Sequence, residues 1–237
     1  MIEVVVAGGI NWDTNLFVQR FPRPGEEASV ISISRGPGGK GGNVSAAVAR
    51  LLGPGKVVMI GALGFDEIAD SQLGLLRSEG VETSGIARIT GAESGQAYIV
   101  TDTSGENLIH THFGANAMLD PADILNKVAE QLTQSASIAV VMDPPEEIIE
   151  TVTRLAYDAG KLIAWDPGIR AKAGIERLRN VLMRTQYLFL NETEVEYMTG
   201  LADPPQSAER LLETNPDLIT IVKSGREGCT LFGKGAT

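Results

Sequence analysis

Short apolar runs rich in β-branched residues alternate along this chain with segments whose apolar positions recur every three or four residues. Residues 4–7, 57–62, 138–142, 162–165, 187–190 and 218–222 read as strands. Residues 43–52, 68–79, 121–134, 146–159, 175–184, 192–199 and 207–213 read as helices. Near-continuous apolar strands separated by helices predict an α/β fold with a parallel sheet covered on both faces. Two segments, 11–34 and 86–113, break the rhythm with alternating stretches such as Gln96-Ala97-Tyr98-Ile99-Val100 and a turn at Ser104-Gly105-Glu106. They predict a small antiparallel unit inserted into a core made of 1–10, 35–85 and 114–237. Such a unit suits a β-lid that excludes water from a site, an edge decoration or a dimer contact.

Composition narrows the picture. With 43% hydrophobic residues but only 5% aromatics, the core has to be aliphatic. No apolar run reaches the roughly 18 residues of a membrane span, and no charged-then-apolar segment opens the chain, so no membrane partner and a cytoplasmic location are expected. A net charge of −10 argues against nonspecific nucleic-acid binding. It leaves anionic small molecules open, because local cations and amide dipoles can bind them inside an acidic protein. The single cysteine, Cys229, sits in a strand-like stretch and is expected to be a small buried hydrophobe. His110 and His112 alternate on one strand face without a third ligand at metal-binding spacing, which makes them structural or lid residues.

The densest chemical signal is Gly36-Pro37-Gly38-Gly39-Lys40-Gly41-Gly42-Asn43, entered from a strand and left by a helix. Five glycines in eight residues suit a place where something approaches the backbone closely. Lys40 and Asn43 are the only polar side chains there, a combination fitting a small polyhydroxylated or anionic ligand. The stretch contains the spacing Gly36-x-Gly38-x-x-Gly41 of a dinucleotide fingerprint. That fingerprint belongs after the first strand, whereas here the first strand runs into Gly8-Gly9-Ile10-Asn11-Trp12-Asp13. The P-loop pattern fails too, because Lys40 precedes its glycines and no Lys-Ser/Thr pair opens the helix.

Taken in order, the motifs resemble those of the ribokinase-like (PfkB) carbohydrate kinases over nearly the whole chain. Gly8 to Asp13 resembles the family's first strand end. Pro37 to Asn43 is similar to its first signature, and Lys40 gives it a ribokinase-like form. Gly61-Ala62-Leu63-Gly64-Phe65-Asp66 and Glu79-Gly80-Val81-Glu82-Thr83-Ser84 frame the next crossover. Gly105-Glu106-Asn107 and Gly114-Ala115-Asn116 bracket the return from the lid. Asn191-Glu192-Thr193-Glu194 matches the family's Asn-x-x-Glu. Val222-Lys223-Ser224-Gly225-Arg226-Glu227-Gly228 resembles its nucleotide-side strand and turn. The resemblance implies a ribokinase-like three-layer fold with a mostly parallel central sheet and a small β-lid. It also implies ATP and Mg2+ as cofactors, with monovalent-cation activation left open. The implied activity is phosphorylation of a hydroxymethyl group on a ribose-like sugar. A nucleoside kinase of the same fold and a noncatalytic sugar- or nucleoside-binding or regulatory domain are the alternatives. A homodimer through the lid is the implied assembly.

By the same resemblance Asp13, Gly38, Gly39, Lys40 and Asn43 hold the acceptor. Asn191, Glu194, Lys223, Ser224, Gly225, Gly228 and Asp166 serve the nucleotide and its phosphates, with Glu194 acting indirectly on the metal. Structural roles compete at each position. Asp13 and Asn43 could be turn or helix-capping residues, Lys40 a solvated loop cation, and Asn191 with Glu194 a capping box. Asp166-Pro167-Gly168 carries Gly where the family has Asn, which puts a contact from Gly168 in doubt; Arg170 is a further phosphate-proximal candidate. The family's second signature, Asp-Thr-x-Gly-Ala-Gly-Asp, carries its anion hole and base, and it does not occur in this sequence. The catalytic base is therefore unassigned. Three readings stand: a piece of a longer kinase, which we favour, a naturally short binding relative, or a substitute carboxylate such as Asp13 or Asp166.

Overall fold

The computed structural model describes residues 2–141 and 145–234. Its elements, in chain order, are β1 (Val4–Gly8), β2 (Asn11–Val18), β3 (Val30–Gly38), α1 (Lys40–Leu52), β4 (Val57–Leu63), α2 (Glu67–Ser78), β5 (Val81–Glu82) and β6 (Ile86–Arg88). There follow β7 (Gly95–Thr101), β8 (Asn107–His112), α3 (Pro121–Lys127), α4 (Ala129–Gln134), β9 (Ser137–Val141), α5 (Glu146–Asp158), β10 (Leu162–Asp166) and α6 (Gly174–Arg184). The last are β11 (Tyr187–Asn191), α7 (Glu192–Thr199), α8 (Pro204–Thr214), β12 (Ile219–Lys223) and β13 (Cys229–Phe232). The expected strand end at Met142 and the chain end after Lys234 lie outside the described residues.

The large sheet runs β13-β12-β11-β10-β9-β1-β4-β5, with β6 also paired to β4. Its pairs are parallel except β12 with β13. The expected α/β architecture is thus present. A second sheet, in the order β3-β2-β7-β8, stands apart from it. It differs from the expected antiparallel unit at three places: β2 and β7 pair in parallel, β6 pairs with the large sheet, and β3 runs on through Gly38.

Two apolar clusters hold the large sheet. On one face Ile148, Val152, Leu178, Leu182, Val195, Met198 and Leu211 of α5 to α8 pack on Ile138, Val140, Ile163, Trp165, Leu188 and Leu190. On the other, Ala49 of α1 and Ala69 and Leu76 of α2 pack on Val6, Val57 and Met59. Coverage of both faces holds for β4, which is buried at every position. It does not hold for β10 to β12, where alternate residues, including Ala164, Phe189 and Ile221, are only half-buried. The sequence could not separate the two cases, because half-buried aliphatics look like core in a strand pattern.

Three further expectations are corrected. The helix over 121–134 is two helices, interrupted at Val128, whose side chain is wholly buried and whose backbone sits at φ −137°, ψ 7°. Cys229 is exposed, because β13 is the edge strand and its first three residues face solvent. The helix expected over 43–52 starts earlier: Gly36 to Gly38 end β3, Gly39 is the N-cap residue, and α1 begins at Lys40.

Candidate active site

The parallel strands β1, β10, β11 and β12 end on one edge of the large sheet, where open α/β sheets receive ligands. Backbone contact explains most of the glycines gathered there. A Cβ on Gly41 would lie 2.5 Å from the carbonyl carbon of Gly8, so only a Gly–Gly contact lets the first turn of α1 sit on the end of β1. The Gly42 N–H donates to the Gly9 carbonyl at 3.3 Å. Gly39 has φ +80°, and its Cβ would stand 2.6 Å from both Asn11 N and Gly9 O. Positive φ and a crowded backbone each demand glycine at that position.

Asp13 lies on β2, opposite Gly36 in the β2–β3 register. Its carboxylate packs over Gly38, where any Cβ would overlap it. The Oδ1 atom is buried and has no hydrogen-bond partner among the described residues. Burial pushes its carboxyl above the usual carboxylate range. Buried polar atoms are normally satisfied, so an enclosed oxygen without a donor marks a place where a ligand donor fits. The alternative roles of solvated turn residue and helix cap do not describe this atom, since Gly39 is the N-cap residue and no side chain caps α1.

Lys40 and Asn43 diverge. Lys40 turns across the sheet edge, its Nζ 3.3 Å from Oδ1 of Asp166 at the end of β10. Asn43 is the fourth residue of α1, is exposed, and caps nothing. It lines a groove of about 280 Å³ between α1 and α2, shared with Pro37, Gly38, Gln72 and Leu76. No hydrogen bond joins Asn43 to Asp13 among the described residues.

The other expected residues form a second group. Lys223, at the end of β12, places its Nζ 2.8 Å from Oδ2 of Asp166. One carboxylate therefore holds two ammonium groups, from helix α1 and strand β12. The Gly168 N–H also donates to Asp166 Oδ1, at 3.1 Å. Gly168 has φ +51°, a left-handed conformation that Gly and Asn adopt with least strain, which accounts for Gly where the family has Asn. Asn191 and Glu194 make the expected capping box: Asn191 Oδ1 accepts from Glu194 N and Glu194 Oε2 accepts from Asn191 N, both at 2.8 Å. Asn191, Lys223, Ser224 and Gly225 line an open cavity of about 460 Å³ with Arg226 and Glu227. Gly225 and Gly228, at φ +57° and +95°, shape that turn, and Ser224 N donates to Gly228 O.

Sequence reasoning missed the Lys40–Asp166–Lys223 group, whose members lie far apart along the chain. It also missed the fastening of the second sheet. Buried Asn116 accepts from Ile10 N and donates to Ile10 O and Asn11 Oδ1, each at 3.0 Å, while Gln72 donates to Asn11 O. Asp66 caps α2 and accepts from both the N–H and the hydroxyl of Ser94. Burial pushes the Asp66 carboxyl up, but the hydrogen bonds from Ser94 and Ala69 outweigh it and hold the group below its ordinary value. A usable signal was present for Asn116, a lone amide following Gly-Ala in an apolar context.

The profile of the pfkB family carbohydrate kinases matches residues 1–237. The chain belongs to the pfkB carbohydrate kinase family. It is similar to the ribokinase of Schizosaccharomyces pombe, 30% identical over 216 residues that cover 89% of this chain and 66% of that protein. It is similar to an ATP-dependent ribose-1-phosphate kinase of Halopiger xanaduensis, 29% identical over 229 residues, 96% of this chain and 73% of that protein. Its fold matches that of Arabidopsis thaliana ribokinase complexed with ribose and ATP at a TM-score of 0.81 and 24% identity. That match covers 100% of this chain and 77% of the plant chain. The chain thus spans about two thirds of the length of the first curated relatives, 66% and 64%. As in pfkB relatives, the large sheet is mostly parallel with helices on its faces. No helix among the described residues is long and apolar enough to cross a membrane.

Proposed function

We propose that this pfkB-family chain carries the acceptor and nucleotide surfaces of an ATP-dependent kinase that phosphorylates a hydroxymethyl group of a ribose-like sugar. The observation that carries the reading is the enclosed, unpartnered Oδ1 of Asp13 over bare Gly38. A carboxylate in that state gains most from two neighbouring hydroxyl donors, which a furanose or pyranose supplies and a purely apolar ligand does not. Gly38 and Gly39 would border the acceptor, Gly38 giving its side-chain space to the Asp13 carboxylate and Gly39 letting the backbone close up at the start of α1. Lys40 offers a cation at its edge, and Asn43 both donates and accepts from the α1 side.

Across the sheet edge, Lys223, Ser224, Gly225 and Gly228 build the turn around the nucleotide phosphates, with Asn191 and Asp166 beside it. A fit for ATP is supported by the open cavity whose wall carries Lys223 and Arg226, beside Glu192 and Glu227. Mg2+ bound with ATP would neutralise charge on the transferring phosphoryl group. Among the described residues no three acidic, His or Cys side chains stand ready as ligands, which suits an ion held mainly by phosphates and water. Glu194, occupied on one oxygen by Asn191 N, would act on such an ion through water. The second sheet serves as the lid over the acceptor. Its exposed Ile31, Ile33, Leu108 and Ile109 favour a homodimer formed through it.

Calorimetric titration with ribose, ribose 1-phosphate, fructose and adenosine tests the acceptor. Binding of a sugar lost in Asp13→Ala and weakened in Asn43→Ala is the expected result. Adenosine binding more tightly than every sugar would move the acceptor to the nucleosides, and unchanged affinity in both variants would remove the acceptor site.

A further inference from the structure

Two ammonium groups brought to one point repel each other unless an anion sits between them. At the edge of the large sheet that anion is part of the protein. Asp166 accepts from Lys40 through Oδ1 and from Lys223 through Oδ2, and its side chain is far less exposed than either lysine's. The lysines come from opposite sides of the site, one opening α1 and the other ending β12. Asn191 pairs with Lys223 in the strand register, so the cluster borders the cavity lined by Asn191, Ser224 and Gly225. The wall of that cavity also carries Arg226 beside Glu192 and Glu227, so its cations are met by carboxylates. An entering anion has to compete with those carboxylates for the ammonium donors.

We infer that Asp166 is a built-in stand-in for a ligand phosphate: it keeps Lys40 and Lys223 convergent and yields them when a phosphate group enters. The inference rests on the nucleotide-side reading above and deepens it. A carboxylate and a phosphate oxygen pair compete for the same N–H donors, and phosphate brings more charge and more acceptor oxygens. Holding the lysines in place beforehand cuts the ordering cost of binding. It also opposes binding, because the stand-in has to be displaced. Asp166 is thus a positioning residue that lowers anion affinity while it links the acceptor side to the nucleotide side, so that phosphate arrival is felt at Lys40 on the acceptor helix.

The test uses inorganic tripolyphosphate as probe, titrated calorimetrically into the 237-residue chain at low ionic strength. Lys40→Met and Lys223→Met are each expected to weaken binding about tenfold, the scale of one charged hydrogen bond. Asp166→Asn, which keeps the shape and removes the charge, is expected to tighten it roughly fivefold. Should Asp166→Asn unfold, the carboxyl carbon resonance of Asp166 in the unmodified protein decides: tripolyphosphate is expected to shift it, and no shift overturns the inference. Unchanged or weakened binding in a folded Asp166→Asn, with both lysine variants weakened, overturns the stand-in role and leaves the nucleotide side standing. If neither lysine variant weakens binding, the nucleotide-side reading falls and the stand-in falls with it.

Discussion

Glycines of one short motif do different things here, and substitution separates them. Gly39 takes φ +80° against Asn11 N and Gly9 O, whereas a Cβ on Gly36 would meet nothing within 4 Å. Gly39→Ala is expected to cost about 2 kcal/mol or more, from left-handed strain plus the clash. Gly36→Ala should stay within about 0.5 kcal/mol. Urea unfolding of the two variants reads the difference, and equal losses would contradict the backbone account. Asp13 shows the opposite trade. Its folded carboxyl is raised by burial, so the ionised form costs stability at neutral pH, and that cost is relieved as pH falls through the raised value. Asp13→Ala is accordingly expected to stabilise the ligand-free chain slightly at pH 7 while removing sugar binding. A thermal melt that drops in this variant would show that the carboxylate has a structural partner instead.

At the scale of elements, the start of α7 carries two readings in one pair of residues. The capping box is present, and Asn191→Ala is expected to cost about 1 kcal/mol for that reason alone. Glu194→Gln preserves the reciprocal bond to Asn191 N, since Gln also completes a capping box. It should therefore melt with the unsubstituted protein yet weaken Mg2+-dependent ATP binding, and equal ATP affinity would leave Glu194 as a cap only. The link between α2 and β7 is an acid-sensitive one. With the Asp66 carboxyl held low in the folded chain, its contribution is complete above the unfolded value near 3.9 and is lost as pH falls through the folded value. Asp66→Asn is expected to flatten the stability profile across that acidic window. A profile unchanged by the substitution would remove Ser94 and Asp66 as the fastening of the second sheet.

Over the whole molecule, what the sequence made legible was local. Apolar runs such as 57–62 and the helical period of 146–159 announced strands and helices, because burial of one face or two sets the spacing directly. The order of motifs then placed Asp13, Lys40 and Asn191 near strand ends. Contacts across long separations were not legible. Lys40 and Asp166 are 126 residues apart, and the motif order set one on the acceptor side and the other on the nucleotide side. The interrupted helix at Val128 was invisible because its buried side chain fits either continuation. Cys229 was misplaced because an edge strand and a central strand share a composition. Exposed Ile31, Ile33, Leu108 and Ile109 belong to this scale as well. Sedimentation is expected to show a dimer that Ile33→Lys dissociates, whereas a monomer before substitution would leave the second sheet without that partner.

One enclosed carboxylate oxygen, Oδ1 of Asp13, carries the acceptor site. Calorimetric titration of ribose into the unsubstituted chain and into Asp13→Ala addresses it most directly. The structure leads us to expect saturable heat in the first and none in the second, with the fold of the variant intact by circular dichroism. Ribose binding that survives Asp13→Ala at full affinity would contradict the acceptor site.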